Sequence, residues 1–189
     1  MLFWGNREEA REWNKLSEKM MEELESLYQD LIIDHYKNPR CRGIIESPDA
    51  SSRLLNPLCG DEIEVFLALN AGRCCDVKNE GKGCSISQAS ASMMSELCSG
   101  LSIEQLREKA ALFVRMMKES LEDEQCDELG DCAALQGVRR FSARIRCAML
   151  PWEALSKCLD QLEPGENTGE NTGENIGDNT GENKVLGYS

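Results

Sequence analysis

The stretch Asn56-Pro-Leu-Cys-Gly-Asp-Glu-Ile-Glu-Val-Phe-Leu-Ala-Leu-Asn70 (NPLCGDEIEVFLALN, residues 56–70) changes character in its middle. Its first half is a turn, built on Asn56-Pro57 and relaxed by Gly60, and it sets a thiol (Cys59) two positions from a carboxylate (Asp61). Its second half, DEIEVFLALN, alternates in part between charged and apolar residues, as a half-buried strand does. Two neighbours share that pattern. SSRLLNP lies before it and RCCDVKNEG after it, with Asn-Ala-Gly and Glu-Gly-Lys-Gly as punctuation. The three segments predict a small antiparallel meander.

Helices surround this sheet. From Trp13 the apolar residues Trp13, Leu16, Met20, Leu24, Leu27 and Leu31 recur at gaps of three and four, which predicts a helix over 7–37. Asn38-Pro39 ends it, because the residue before a proline is driven out of the helical region. Its stripe is expected to dock on the core, with a partner or a second copy as the alternative use. Ser85 with Gln88, and Ser102 with Gln105, have the spacing of capping boxes, so helices are expected over 86–98 and 103–120. An acidic loop, LEDEQCDELGDCAALQGV, should hold a short helical turn near 130–136. A last helix is expected over 147–161, where Pro151 is tolerable only in the first turn.

Beyond Pro164 the composition shifts to a four-residue repeat, GENTGENTGENIGDNTGEN, nearly without apolar residues. Such a segment cannot offset its ordering entropy and is expected to be disordered, as a solvated tail or a docking segment. Its acids Glu166, Glu170, Glu174, Asp178 and Glu182, with Lys184, carry −4 of the chain's −13, so the remainder is itself acidic at −9. The division expected is an N-terminal helical extension (1–26), one domain (27–162) and the tail (163–189).

The acidic balance weighs against nucleic acid and anionic lipid as partners. No apolar run approaches the ~20 residues of a membrane span, and the first residues lack the basic and apolar regions of a leader. A soluble, cytoplasmic protein is expected. In that compartment thiols stay reduced, so ten cysteines point to metal binding or sulfur chemistry rather than disulfides. The single histidine, His35, rules out a metal site built on two or three histidines of one chain; its place near the end of the first helix suits a structural role.

Three cysteines stand out by context. Cys59 precedes a strand, and Gly60 frees the backbone to aim it with Asp61 at one point. Cys84 follows Glu-Gly-Lys-Gly and precedes a helix start, whose dipole favours thiolate. Cys147 follows Arg139, Arg140, Arg144 and Arg146, which also favours an ionised sulfur. Three thiolates and Asp61 make the four ligands of tetrahedral zinc; buried free cysteines of the core are the competing reading. Cys41, Cys74, Cys75, Cys98, Cys126, Cys132 and Cys158 fit no such pattern, and Cys74 and Cys75 should point to opposite faces of their strand.

Taken in order, LYQDLIIDHYKNPR (27–40), NPLCGDEI (56–63), GKGCSISQASASMM (81–94), LGDCAALQGV (129–138) and ARIRCAMLPWEAL (143–155) resemble the iron-sulfur scaffold superfamily of IscU and the NifU N-terminal domain, and within it the SufU branch. The likeness spans about residues 27–160. It implies an α+β fold: a small antiparallel sheet of about three strands, helices packed on one side, and a metal site at one exposed end. It places the metal ligands at Cys59, Asp61, Cys84 and Cys147, with Cys59 as sulfur acceptor and Arg144 in an orienting role. Arg146 stands where IscU-type proteins carry histidine, and the segment between Cys84 and Cys147 looks like the SufU insertion. The resemblance thus implies Zn²⁺ and transfer of persulfide sulfur from a SufS-type cysteine desulfurase toward downstream iron-sulfur assembly proteins. Assembly of a [2Fe-2S] cluster, or iron, on the same cysteines is the alternative.

Overall fold

In the computed structural model, residues 7–162 are described, with side chains from residue 11. The expected tail from 163 lies outside them. The chain runs α1 (Arg7–Lys37), β1 (Ala50–Asn56), β2 (Asp61–Asn70), β3 (Arg73–Lys82), α2 (Ser85–Cys98), α3 (Ile103–Met116), α4 (Asp123–Asp127), a 3-10 segment (Gly130–Arg140) and α5 (Ser142–Gln161). None of these helices is long and apolar enough to cross a membrane.

The meander forms as expected, with order β1-β2-β3, both pairings antiparallel, Leu54 opposite Ile63 and Val65 opposite Asn79. Alternation decides its faces: Ile63, Val65 and Leu67 are fully buried, while Glu62 and Glu64 face outward and Glu62 pairs with Arg53 and Lys82. Cys74 is buried and Cys75 exposed, on opposite faces as the strand period requires. α5 crosses β1 and β2 while α2 covers β3, so the helices lie on one side.

The central helix is α2. Its sequence SISQASASMMSELC is small and apolar on nearly every side, and eleven of its residues are buried; a helix apolar all round has neighbours all round. Its serines find partners: Ser90 Oγ donates to the Ala148 carbonyl of α5 at 2.7 Å, and Asn79 Nδ2 of β3 donates to Ser95 Oγ at 3.0 Å. Ser92 Oγ meets His35 Nδ1 of α1 at 2.9 Å and accepts the Arg40 amide at 2.8 Å. His35 is fully buried, and its Nε2 lies 3.0 Å from Asp131 Oδ2, so this ring pins α1 to α2 and to the 3-10 segment. The expected structural role is what its contacts describe.

Several expectations give way. Only the C-terminal part of the α1 stripe, Leu31 and Ile32, packs on the core; Trp13, Leu16, Met20, Leu24 and Leu27 are exposed. A helix of 31 residues is about 46 Å long, more than a domain of this size can cover. The Ser102–Gln105 capping box is present, whereas α2 begins at Ser85, is capped by Cys84, and forms no box with Gln88, whose Oε1 accepts from Arg42. α3 ends at Met116 rather than 120. α5 starts five residues before the expected position, which leaves Pro151 in its interior instead of its first turn. The proline cannot donate to the Cys147 carbonyl one turn back, and the next carbonyl, Ala148, takes the Ser90 hydroxyl.

Phe113 of α3 stacks on Trp152 of α5 with centroids 4.3 Å apart and planes at 11°, both rings fully buried. Trp152→Ala should therefore cost about 3–5 kcal/mol, read as a lower urea midpoint; a loss below about 1 kcal/mol would show that this stack does not organise the core.

Candidate metal centre

The site is built where the first β-turn meets the starts of α2 and α5. Asn56 closes β1, Gly60 takes φ +73° in the turn, and Asp61 opens β2. The Gly60 amide donates to the Asn56 carbonyl at 2.8 Å and the Leu58 amide to Asn56 Oδ1 at 3.1 Å. That tight turn projects Cys59 into solvent and folds Asp61 inward, where it is 3% exposed. Cys147 is on the second turn of α5, not at an element boundary as its sequence context suggested.

The ligand atoms of Cys59, Asp61 and Cys147 all lie within 4.8 Å of one another, with the two sulfurs 3.7 Å apart. Cys84 is adjacent rather than within that trio. Its amide donates to Asp61 Oδ1 at 3.0 Å, while its thiol rests 3.8 Å from the Ser87 hydroxyl. The other Asp61 oxygen, Oδ2, is buried with no hydrogen-bond partner. Leaving such an atom unsatisfied costs of the order of 1–3 kcal/mol or more, and a cation among these sulfurs would relieve it. Gly83 completes the enclosure: a Cβ there would come within 2.7 Å of Asp61 Cγ and 2.6 Å of Ser87 Oγ.

Burial alone would raise the Asp61 carboxyl, but hydrogen bonds from Cys84, Ser87 and Cys59 outweigh it and hold the group below its ordinary range. The anion is the form present at neutral pH. Cys147 behaves oppositely. Its burial, and then the neighbouring Cys59, Cys84 and Asp61, push its thiol far up. This corrects the expectation that the arginines ionise it. Arg140 pairs with Glu25, Arg139 Nη1 donates to Ser120 Oγ at 3.4 Å, and Arg144 lies over the Phe141 ring, 5.5 Å from its centroid. Without a cation the crowded Cys147 thiol stays protonated; a thiophilic divalent ion at these donors would supply the charge that makes it a thiolate. The donors present, three sulfurs and a carboxylate with an orphaned oxygen, fit such an ion.

Three supporting residues had not stood out in the sequence. Asn56 organises the turn and points its Nδ2 at Cys147 Sγ, 3.9 Å away; Ser87 contacts Cys84; Gly83 leaves the space Asp61 fills. Each is an ordinary turn or helix residue by type. Among the described residues, a second group of possible ligands is His35, Glu96 and Asp131, and Cys126 with Cys132 gathers no third donor.

Residues 27–148 match the family described as NifU-like N terminal domain. The chain is 44% identical over 142 residues to the zinc-dependent sulfurtransferase SufU of Bacillus subtilis, covering 75% of this chain and 95% of that one. It is 34% identical over 139 residues to the iron-sulfur cluster assembly scaffold protein IscU of Streptococcus pyogenes, covering 74% and 86%. A crystal structure of the N-terminal part of a NifU-like protein from Brucella abortus superposes with a TM-score of 0.62 at 28% identity, covering 69% of this chain and 90% of that one. The chain belongs to the NifU-like N-terminal domain family. Within it, this is an iron-sulfur cluster assembly protein of the SufU/IscU kind.

Two outcomes follow from the site's packing. Gly83→Ala should displace Asp61 and lower metal retention at least about tenfold while the sheet's circular dichroism persists; unchanged retention would mean the carboxylate does not bind from this position. Burial, with the charges of Cys75 and Asp76, pushes Cys74 up to about 11, and burial with Glu64 pushes Cys158 up to about 12. At pH 8 their thiolate fraction is then about 10⁻³ or less. A thiol reagent should modify exposed Cys75 at least about 100-fold faster than either, a difference abolished in denaturant and mapped by peptide mass.

Proposed function

We propose that this chain is a zinc-dependent sulfur acceptor, taking persulfide sulfur from a SufS-type cysteine desulfurase on Cys59 and passing it to downstream iron-sulfur assembly proteins. The observation that carries the reading is the juxtaposition of solvent-exposed Cys59 with buried Asp61 and Cys147, one Asp61 oxygen left without a partner. Cys59, Asp61, Cys84 and Cys147 would hold the Zn²⁺, whose charge would keep the sulfurs ionised, while three thiolates and a carboxylate against that one ion leave a net charge of about −2 that makes the sulfurs nucleophilic.

The protein's own residues supply the rest. Cys59 is on a turn rather than a helix or strand, so it can move toward a partner while Asp61 stays anchored in β2, Cys84 at the N-cap of α2 and Cys147 in α5. Its thiolate attacks the outer sulfur of the partner's persulfide. The S–S bond there breaks, the inner sulfur leaves as the partner's thiolate, and the outer sulfur stays on Cys59 as a new persulfide, with no net change in oxidation state. Leu58 beside Cys59, and Phe141 at the start of α5, are exposed apolar side chains of the kind a protein partner covers. Arg144, exposed one turn before Cys147, orients the approaching partner.

Thiolate sites hold iron as well as zinc, so a [2Fe-2S] scaffold on the same ligands is the second reading. Arg146 favours zinc over it, since a histidine ligand beside Cys147 is missing.

Cys59→Ala should keep the fold yet abolish persulfide labelling of this chain and its stimulation of a cognate desulfurase; full stimulation by the variant would remove Cys59 as acceptor. Asp61→Ala should weaken zinc retention at least about tenfold and make the domain less stable, measured by chelator competition and thermal unfolding. Affinity equal to that of the parent protein would take Asp61 out of the ligand set.

A further inference from the structure

A groove of about 1170 Å³ runs between α1 and the junction of the 3-10 segment with α5. On the α1 side its floor is Met21, Leu24 and Tyr28, all exposed apolar residues; opposite stand Phe141 and Ile145. Lys118, Arg139, Arg140 and Arg144 rim it. In a chain of net charge −13 this is a local concentration of cations. Only Arg140 among the four has a carboxylate ion pair among the described residues, with Glu25. The groove also borders the metal centre: Ile86, two residues after Cys84, and Arg144, three before Cys147, line it.

We propose that this groove is the docking site of the chain's own C-terminal segment, residues 163–189. The complementarity is twofold. The repeats present one acid every four residues (Glu166, Glu170, Glu174, Asp178, Glu182) to a rim of cations, and after them comes the segment's one apolar cluster, Val185, Leu186 and Tyr188, which suits the floor. The reach also agrees. From Arg144 to Leu162, which caps α5, is about 27 Å along the helix, and the 23 residues from Glu163 to Val185, as a Gly-rich coil, have an r.m.s. span of roughly 26 Å. A tether whose r.m.s. length matches the gap gives an effective concentration in the millimolar range, enough for a weak contact to be populated within one molecule. The family match ends at residue 148 and begins at 27, so both the segment and the Met21–Leu24 part of the floor lie outside it. Docked, the segment lies against the elements that carry Cys84 and Cys147 and shields the rim cations. This contact does not depend on what the metal centre does.

The test compares backbone amide spectra of the full-length, metal-loaded protein with those of a full-length variant in which the five acids are neutralised (Glu→Gln, Asp178→Asn) and Leu186→Ser and Tyr188→Ser remove the apolar cluster. The expected result is a set of shifts confined to Lys118, Gly137–Ile145 and Met21–Tyr28, independent of protein concentration. The same shifts should appear in the parent protein at about 1 M salt, where the Debye length falls to ~3 Å. Lys118→Glu with Arg139→Glu should reproduce them in the segment's own resonances. Identical spectra for parent and variant would overturn the proposal. Shifts that grow with protein concentration would overturn it too, by assigning the groove to a second copy.

Discussion

A single buried carboxylate constrains the rest of this structure. Asp61 enters the interior at the start of β2, spends one oxygen on the Cys84 amide at 3.0 Å, and has no protein partner for the other. Hydrogen bonds outweigh burial and keep it ionised, so the anion needs a compensating positive charge, and the atoms around it are sulfur. The start of α2 supplies part of that charge through its free amides. In the proposed reading, a divalent cation among Cys59, Cys84 and Cys147 would supply the remainder.

The placement of those sulfurs depends on α2. A helix made mostly of serine, alanine and methionine can be enclosed by β3, α1 and α5 at close range, and each buried hydroxyl then has to find a partner. Ser90 finds α5, Ser92 finds His35 and Arg40, and Ser95 finds Asn79. These contacts fix the N-terminus of α2 against the turn that carries Cys59. Substituting large residues along this helix would move Cys84 relative to Asp61 before it touched either side chain.

Periodicity in the chain made the sheet legible, because three short segments alternate and end in turn residues; the Ser102–Gln105 cap and the Cys74/Cys75 division followed from local rules alone. The start of α5 was not legible. Its N-cap position, Phe141, makes no side-chain cap, and the preceding 3-10 segment blurs the boundary, so Pro151 looked like a first-turn residue. The arginines before Cys147 misled in a different way: sequence proximity is not spatial proximity, and Glu25, Ser120 and the Phe141 ring engage three of them. The ordered motifs marked Cys59, Asp61, Cys84 and Cys147. The same motifs contain Asn56, Gly83 and Ser87 but gave them no role at the site, because their importance lies in which atoms the folded chain brings next to them.

The central claim is that Cys59, Asp61, Cys84 and Cys147 together hold one zinc ion. Elemental analysis of the full-length protein purified without oxygen, with its visible spectrum, tests it most directly. The account predicts about one zinc per chain and no visible absorption, whereas iron with acid-labile sulfide and a brown colour would contradict it.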